Sequence, residues 1–324
     1  MKKSIIAAAI AVAVAAPAAN AGVTIYGKVH VSVDFTESGD DSVWAVKSRA
    51  SRIGFKGTED LGNGLSLVWK AETSYDFADG GAFGGGRNAY IGLTGDWGTF
   101  LYGRHDTPYK MAYYATGIDM MSDTTIDMNT LSGSGDIYFN QVRASNAIAY
   151  VSPNMNGLTF AGAIVPGEGS AAGDGLNDLY SVSAMYSNEG LKLAVAYENL
   201  EGDSGTFGSD NDWWDEKILI GGSYTMNDMT IALAYQDGEF AGTSTEALGL
   251  AFGYKFGNNK LVANYRYLEA EGYDVVDSWG IGLNHSLSKR SSAYVAYASH
   301  SLDSDIFVDN IDVDQFSVGM IHNF

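Results

Sequence analysis

The sequence predicts an all-β fold, a 16-stranded antiparallel transmembrane β-barrel, on three observations. Apolar side chains recur at every second position over most of the chain, short turns alternate with long polar connections, and glycine and tyrosine are abundant while proline is scarce. Forty glycines and twenty tyrosines stand against four prolines in 324 residues, a balance that suits many strands joined by tight turns.

The alternation is set by the stretch VTIYGKVHVSVDF (23–35), in which Val23, Ile25, Val29, Val31, Val33 and Phe35 interleave with Thr24, Tyr26, Lys28, His30, Ser32 and Asp34. Period two marks a strand with two unlike faces. It returns at Leu65, Leu67, Trp69; at Leu191, Leu193, Val195, Tyr197; at Ile231, Leu233, Tyr235; at Leu248, Leu250, Phe252, Tyr254; and at Phe316, Val318, Met320. None of these apolar sets carries Lys, Arg, Asp or Glu, and a Lys or Arg facing lipid at mid-membrane costs about 2–4 kcal/mol. Tyr197, Tyr224, Tyr235, Tyr254 and Tyr267 close their sets, where a ring rests at headgroup depth with its hydroxyl wet.

Short turns fall within residues 59–65, 94–99, 152–158, 187–191, 225–229, 255–260 and 286–292, with longer Gly, Asp and Ser stretches between them. Seven such turns close seven hairpins and leave a strand at each end, which makes sixteen. Short turns on one rim and long loops on the other are the asymmetry of outer-membrane barrels. Backbone groups in hydrocarbon have no water to pair with, so the sheet must close. A cylinder of sixteen strands is too wide to fill with its own side chains and leaves an aqueous channel.

The chain opens MKKSIIAAAIAVAVAAPAANA, two lysines, an apolar run and a small-x-small site ending at Ala21. This reads as a cleaved signal peptide over 1–21 with the barrel over 22–324; the run is too short to span a bilayer as a helix. There is no cysteine, so in an exported chain of this size stability does not come from disulfides, and either a large core or a closed hydrogen-bond cylinder must supply it.

Acidic residues outnumber basic ones by 39 to 19, which argues against a nucleic-acid partner. The acids crowd into 167–178, 199–216 and 301–314, the pattern of solvated loops. No cofactor or metal site is expected: five histidines and no cysteine offer no ligand spacing. The run Asp303 to Asp314 lacks the Gly and closing Glu of a calcium loop and suggests only weak divalent-cation binding. Gly202-Asp203-Ser204-Gly205 has no histidine placed to serve a nucleophile, and GGAFGGGR (80–87) lacks the Lys-Ser/Thr ending of a phosphate loop. The chain is therefore not read as an enzyme.

The runs SRIGFKGTEDLGNGL (51–65), RNAYIGLTGDWGTFLYGR (87–104) and RASNAIAYVSPNMNGLTF (143–160), with the terminal SVGMIHNF (317–324), resemble the trimeric general-diffusion porins of Gram-negative outer membranes. The resemblance implies a homotrimer in the outer membrane, in contact with lipid and lipopolysaccharide, that passes small hydrophilic solutes and ions by passive diffusion. It also implies that the third long loop, about His105 to Gln141, folds into the pore as a constriction, and that Phe324 is the assembly signal. Carried over residue by residue, it assigns Lys28, Arg52, Arg87 and Arg143 to a basic wall and Asp119, Asp123 and Asp127 to the facing loop. Lys28 and Arg52 fall on the polar sets of their strands, and opposed charges across a low-dielectric pore produce a transverse field. A sugar-selective pore is the alternative, since Tyr109, Tyr113 and Tyr114 offer an aromatic slide on that loop. Acidic loops and net charge lead to an expectation of mild cation selectivity.

Overall fold

The computed structural model describes residues 22–131, 134–136, 138–139, 141–167, 175–177, 179–199, 214–240, 242–271, 273–302 and 311–324. The expected signal peptide, the Gly202–Gly205 run, Asp303, Asp305 and Asp309 lie outside these residues.

The wall begins with β1 (Val23–Ser38), β2 (Asp41–Ser48), β3 (Arg52–Gly62), β4 (Leu65–Ser74), β5 (Gly86–Gly95) and β6 (Gly98–Asp106). A helix, α1 (Pro108–Thr116), and a small hairpin of β7 (Thr130–Leu131) and β8 (Ser134–Asp136) occupy the connection to β9 (Arg143–Val151). Ten further strands follow: β10 (Leu158–Val165), β11 (Leu179–Asn188), β12 (Leu191–Asn199), β13 (Trp214–Met226), β14 (Met229–Phe240), β15 (Thr243–Phe256), β16 (Asn259–Ala270), β17 (Tyr273–Ser286), β18 (Ser291–Leu302) and β19 (Ile311–Asn323).

Apart from the β7/β8 hairpin, seventeen segments form one antiparallel sheet, and β19 pairs with β1 from Lys28↔Asn323 to Ser38↔Val313, so the sheet closes. β1 pairs with β3 through its first half and with β2 through its second. The two are halves of one strand broken at residues 49–51, which gives the sixteen strands expected. At the seam Gly27 and Phe324 exchange both backbone hydrogen bonds, at 3.0 and 3.1 Å. The Phe324 ring lies where a Cβ on residue 27 would come within 2.4 Å of it, so only glycine admits the terminal ring there.

Exposure answers what each face meets. Ile25 is 62% exposed and Val33 45%, while Lys28, His30, Ser32 and Asp34 on the alternate set are 9% exposed or less. The apolar face points outward on every long strand, which in a transmembrane barrel is the lipid side. The tyrosines divide between the rims: Tyr224 and Tyr254 lie beside the short turns at 227–228 and 257–258, Tyr197 and Tyr267 at the loop end. The loop rim is less uniform than the sequence suggests, because β1 and β2 join through Gly39 and Asp40 alone, with Gly39 at φ 58°.

The hydrophobic core lies inside the barrel, between one sector of wall and the chain that joins β6 to β9. Tyr109, Tyr113, Ile118, Met128 and Phe139 of that connection are fully buried against Ala194, Ala196, Ala232, Ala234 and Ala247, which point inward from β12 to β15. Burying each large side chain contributes about 1.5–3 kcal/mol. Glycines let the segment sit close: a Cβ on Gly280 would fall 2.5 Å from Ile126 Cγ2.

Candidate functional site

The 107–142 segment is fixed to the polar, inward face of the wall at several points. Thr107 caps α1 by accepting the Lys110 N–H, Pro108 stands at its first turn, and Gly117 (φ 74°) ends it. The Tyr109 hydroxyl donates to Gln236 Oε1 on β14, and its ring lies 4.7 Å from Lys217 Nζ on β13. Lys217 is in turn 3.2 Å from Glu198 on β12, both side chains fully buried. Further along, Asn264 Nδ2 donates to the Ile126 carbonyl at 2.6 Å, and the Tyr138 and Ser278 hydroxyls are 2.5 Å apart.

The four expected basic residues all face the bore, with different partners. Lys28 Nζ lies 2.5 Å from Asp123 Oδ2. Arg52 stands directly opposite Lys28 across the β1–β3 pair, and its Nε is 4.0 Å from Glu72. Two cations at one cross-strand position repel, and Asp123 and Glu72 supply the compensating charge. Arg87 Nε donates to Glu72 Oε1 at 2.6 Å. Arg143 bonds Asp106 at 2.8 Å and Asn88 Oδ1 at 2.9 Å.

The three expected acids divide their tasks. Asp123 adopts a left-handed backbone, φ 62°, which aspartate tolerates, and this turn carries its carboxylate to Lys28. Burial opposes its ionisation, but the Lys28 ammonium and the Arg52 guanidinium outweigh it and hold the carboxyl below the usual range. Asp127 faces its own segment, accepting the N–H of Asp123 at 2.6 Å and of Asn129 at 2.8 Å. Asp119 is pushed well above the usual carboxylate range, first by burial and then by the Asp127 charge.

These groups surround a cavity of about 360 Å³ with Arg49, Arg87 and Arg143 among its wall residues and Asp119, Asp123 and Asp127 on the segment; Lys47, Lys110 and Tyr114 also border it. Lys28 and Arg52 are not among the lining groups. Tyr109 and Tyr113 are fully buried against the wall, and only Tyr114 of the three tyrosines is exposed, at 49%. The aromatic slide expected of a sugar-selective pore is therefore not formed by these residues: two of them serve as anchors for α1.

Arg49 and Glu72 escaped sequence reading. Three residues from Arg52, Arg49 belongs by strict alternation to the outward face. The break at Ala50 (φ 41°) shifts the count by one and turns Arg49 inward, where it donates to Asp34 Oδ2 at 2.5 Å and Ser32 Oγ at 2.9 Å. Glu72 accepts from Arg87 and from the Tyr26 hydroxyl (2.8 Å) and lies 3.4 Å from Lys70 Nζ. Its place on the polar set of β4 was legible, but its convergence with three cations from three strands was not.

The family described as Gram-negative porin matches residues 7–305. The chain is 28% identical over 329 residues to the major outer membrane protein P.IB of Neisseria lactamica, covering 91% of this chain and 92% of that protein. It is 27% identical to an outer membrane porin protein of Bordetella pertussis, over the full length of both. Solved structures with the same fold include the anion-selective porin from Comamonas acidovorans (TM-score 0.77, 22% identical, 94% of this chain and 100% of that one). A second is Salmonella typhi OmpF in complex with daunomycin (TM-score 0.73, 22% identical, 94% and 98%). The chain belongs to the Gram-negative porin family and is a channel of the outer membrane.

Proposed function

We propose that small hydrophilic solutes and ions diffuse passively through a constriction formed between Lys28, Arg49, Arg52, Arg87 and Arg143 on the wall and the 107–142 segment, and that this constriction favours anions. The carrying observation is the charge balance at the cavity. Lys47, Arg49, Arg87, Lys110 and Arg143 face three carboxylates; Arg49, Arg87 and Arg143 are paired with Asp34, Glu72 and Asp106, which do not line the cavity, and none of the three lining carboxylates offers a fully free negative charge to the lumen. Asp123 is paired with Lys28, the Asp127 oxygens are taken by backbone N–H groups, and Asp119 is biased toward its protonated form. A wall of guanidinium groups in a low-dielectric pore stabilises a passing anion. The net negative charge of the chain is carried largely by its polar connections and acts at the mouths, where salt screens it beyond about 8–10 Å. This reading replaces the mild cation preference that overall charge suggests.

The same reading includes a homotrimer, contact with lipopolysaccharide, and removal of residues 1–21 on export. The test is a planar-bilayer measurement in a salt gradient. A reversal potential of anionic sign supports the constriction; a cationic sign at moderate salt rejects it.

A further inference from the structure

We propose that the outer face of the barrel between β6 and β11 holds one lipopolysaccharide molecule, with an acyl chain in a groove over Gly162 and a phosphate at Arg104. The inference rests on the outer-membrane reading and adds to it a specific lipid site.

The groove follows from strand register. Phe100, Tyr150, Gly162 and Val182 stand directly opposite one another across β6, β9, β10 and β11. All four positions point outward, and the glycine leaves a notch between two larger neighbours. An added Cβ at Gly162 would meet nothing within 4 Å. One step toward the loop rim, Ile148, Ile164 and Tyr180 continue the walls, and the depression has a volume of about 540 Å³ with a mainly apolar lining.

Charge fixes the occupant. Arg104 lies on the same face of β6 as Phe100 and Tyr102, four residues toward the loop rim from Phe100, which is about 13 Å along a strand. Its Nε donates to the Gly86 carbonyl at 3.1 Å and its Nη1 to Ser145 Oγ at 2.6 Å, which hold the guanidinium across the strands. Among the described residues no carboxylate lies within 4.0 Å of it. Among the described residues, the outward loop rim from β12 to β19 carries carboxylates: Tyr197, Tyr267 and Tyr297 donate to Glu216, Glu269 and Asp314 at 2.6–2.8 Å, and Tyr265 donates to Asp277. A lipid phosphate is repelled there and attracted at Arg104, which stands on β6 above Phe100, at the edge of the depression and two strands from Gly162. The loop rim faces the outer leaflet, whose anionic lipid is lipopolysaccharide, so a guanidinium nearer the loop rim at one side of an apolar depression matches a phosphorylated, multiply acylated lipid.

The test is binding of purified bisphosphorylated lipid A to the refolded barrel in phosphatidylcholine vesicles, with the dephosphorylated form and phosphatidylglycerol as competitors. Expected is one lipid A bound per barrel, an affinity at least tenfold lower for Arg104→Gln and for dephosphorylated lipid A, and a loss of several-fold for Gly162→Leu. Single-channel conductance is expected to stay unchanged in both variants, which shows that they fold and that the channel reading stands whatever the lipid result. Equal binding by wild type and both variants, or equal competition by phosphatidylglycerol, overturns the proposal. So does disulfide formation between copies of Gly162→Cys, which would assign the groove to a neighbouring subunit.

Discussion

Lys28 on the first strand and Asp123 on the segment that joins the sixth strand to the next strand of the wall lie 2.5 Å apart, so the inserted chain is tied to the wall by charge at the edge of the bore. The sequence separation is 95 residues. Asp123 reaches Lys28 because a left-handed turn, stitched by the Asp127 carboxylate, aims it there.

Asp123→Asn leaves Lys28 and Arg52 facing each other with one counter-charge fewer. The expected outcome is an anion-to-cation permeability ratio raised about twofold, equivalent to about 0.4 kcal/mol, with the barrel still folded. Reversal potentials in a tenfold salt gradient measure it; an unchanged or lower ratio contradicts the proposed constriction.

Acidification acts on the two carboxyls in sequence. Asp119 has its folded value raised, so the protonated form adds stability that is present below the ordinary aspartate value and is lost as pH rises through the raised one. Asp123 has its value depressed, so its contribution is present above the ordinary value and is lost as pH falls through the depressed one. Selectivity is therefore expected to become more anionic as pH falls through a window above the usual carboxylate range, where Asp119 takes up its proton. Repeating the titration on Asp119→Asn checks the assignment: that step should vanish while a second, at lower pH, remains.

Glu72→Gln removes the shared counter-charge of Arg52, Lys70 and Arg87. Anion conductance should rise, by about twofold on the same scale, and heat stability should fall, because the freed cations then repel one another. Conductance in potassium chloride together with the thermal midpoint of the folded barrel distinguishes this from a purely structural defect.

Tyr109→Ala takes away the ring over Lys217 and the hydroxyl bonded to Gln236. Truncating a buried aromatic costs about 3–5 kcal/mol, here drawn from the seat of α1 and not from the wall. Larger and noisier single-channel currents are expected, with Tyr109→Phe intermediate. Currents indistinguishable from wild type would mean that this anchor does not hold the segment.

Gly280→Val places a branched side chain where Ile126 now rests 2.5 Å from the position of a Cβ. The segment must move away from the wall and into the bore, and conductance is expected to fall. The outward-facing control Gly162→Ala should leave it unchanged.

How much of this was readable in advance depends on the range of the interaction. Alternation at Val29, Val31 and Val33 gave the strand, its two faces and, with the turn count, the closed sheet, since period two is a property of neighbouring residues along one strand. The polar phase likewise put Lys28 and Glu72 inside. A further signal went unused: inward positions on β12 to β15 are Ala194, Ala196, Ala232, Ala234 and Gly249, small where a lumen wall is ordinarily polar, and that sector is where Tyr109, Met128 and Phe139 dock.

Local pattern alone therefore set the barrel, its orientation toward lipid and the stock of charges available to the bore, because each follows from short-range periodicity and the cost of burying polar backbone in hydrocarbon. Which of those charges meet was left to long-range packing. A single extra residue at Ala50 turned Arg49 inward, one left-handed turn sent Asp123 to Lys28 while Asp127 stayed with its own backbone, and the docking of α1 withdrew Tyr109 and Tyr113 from the passage. Each outcome depends on contacts between segments far apart in the chain, whose register and loop path no local pattern encodes.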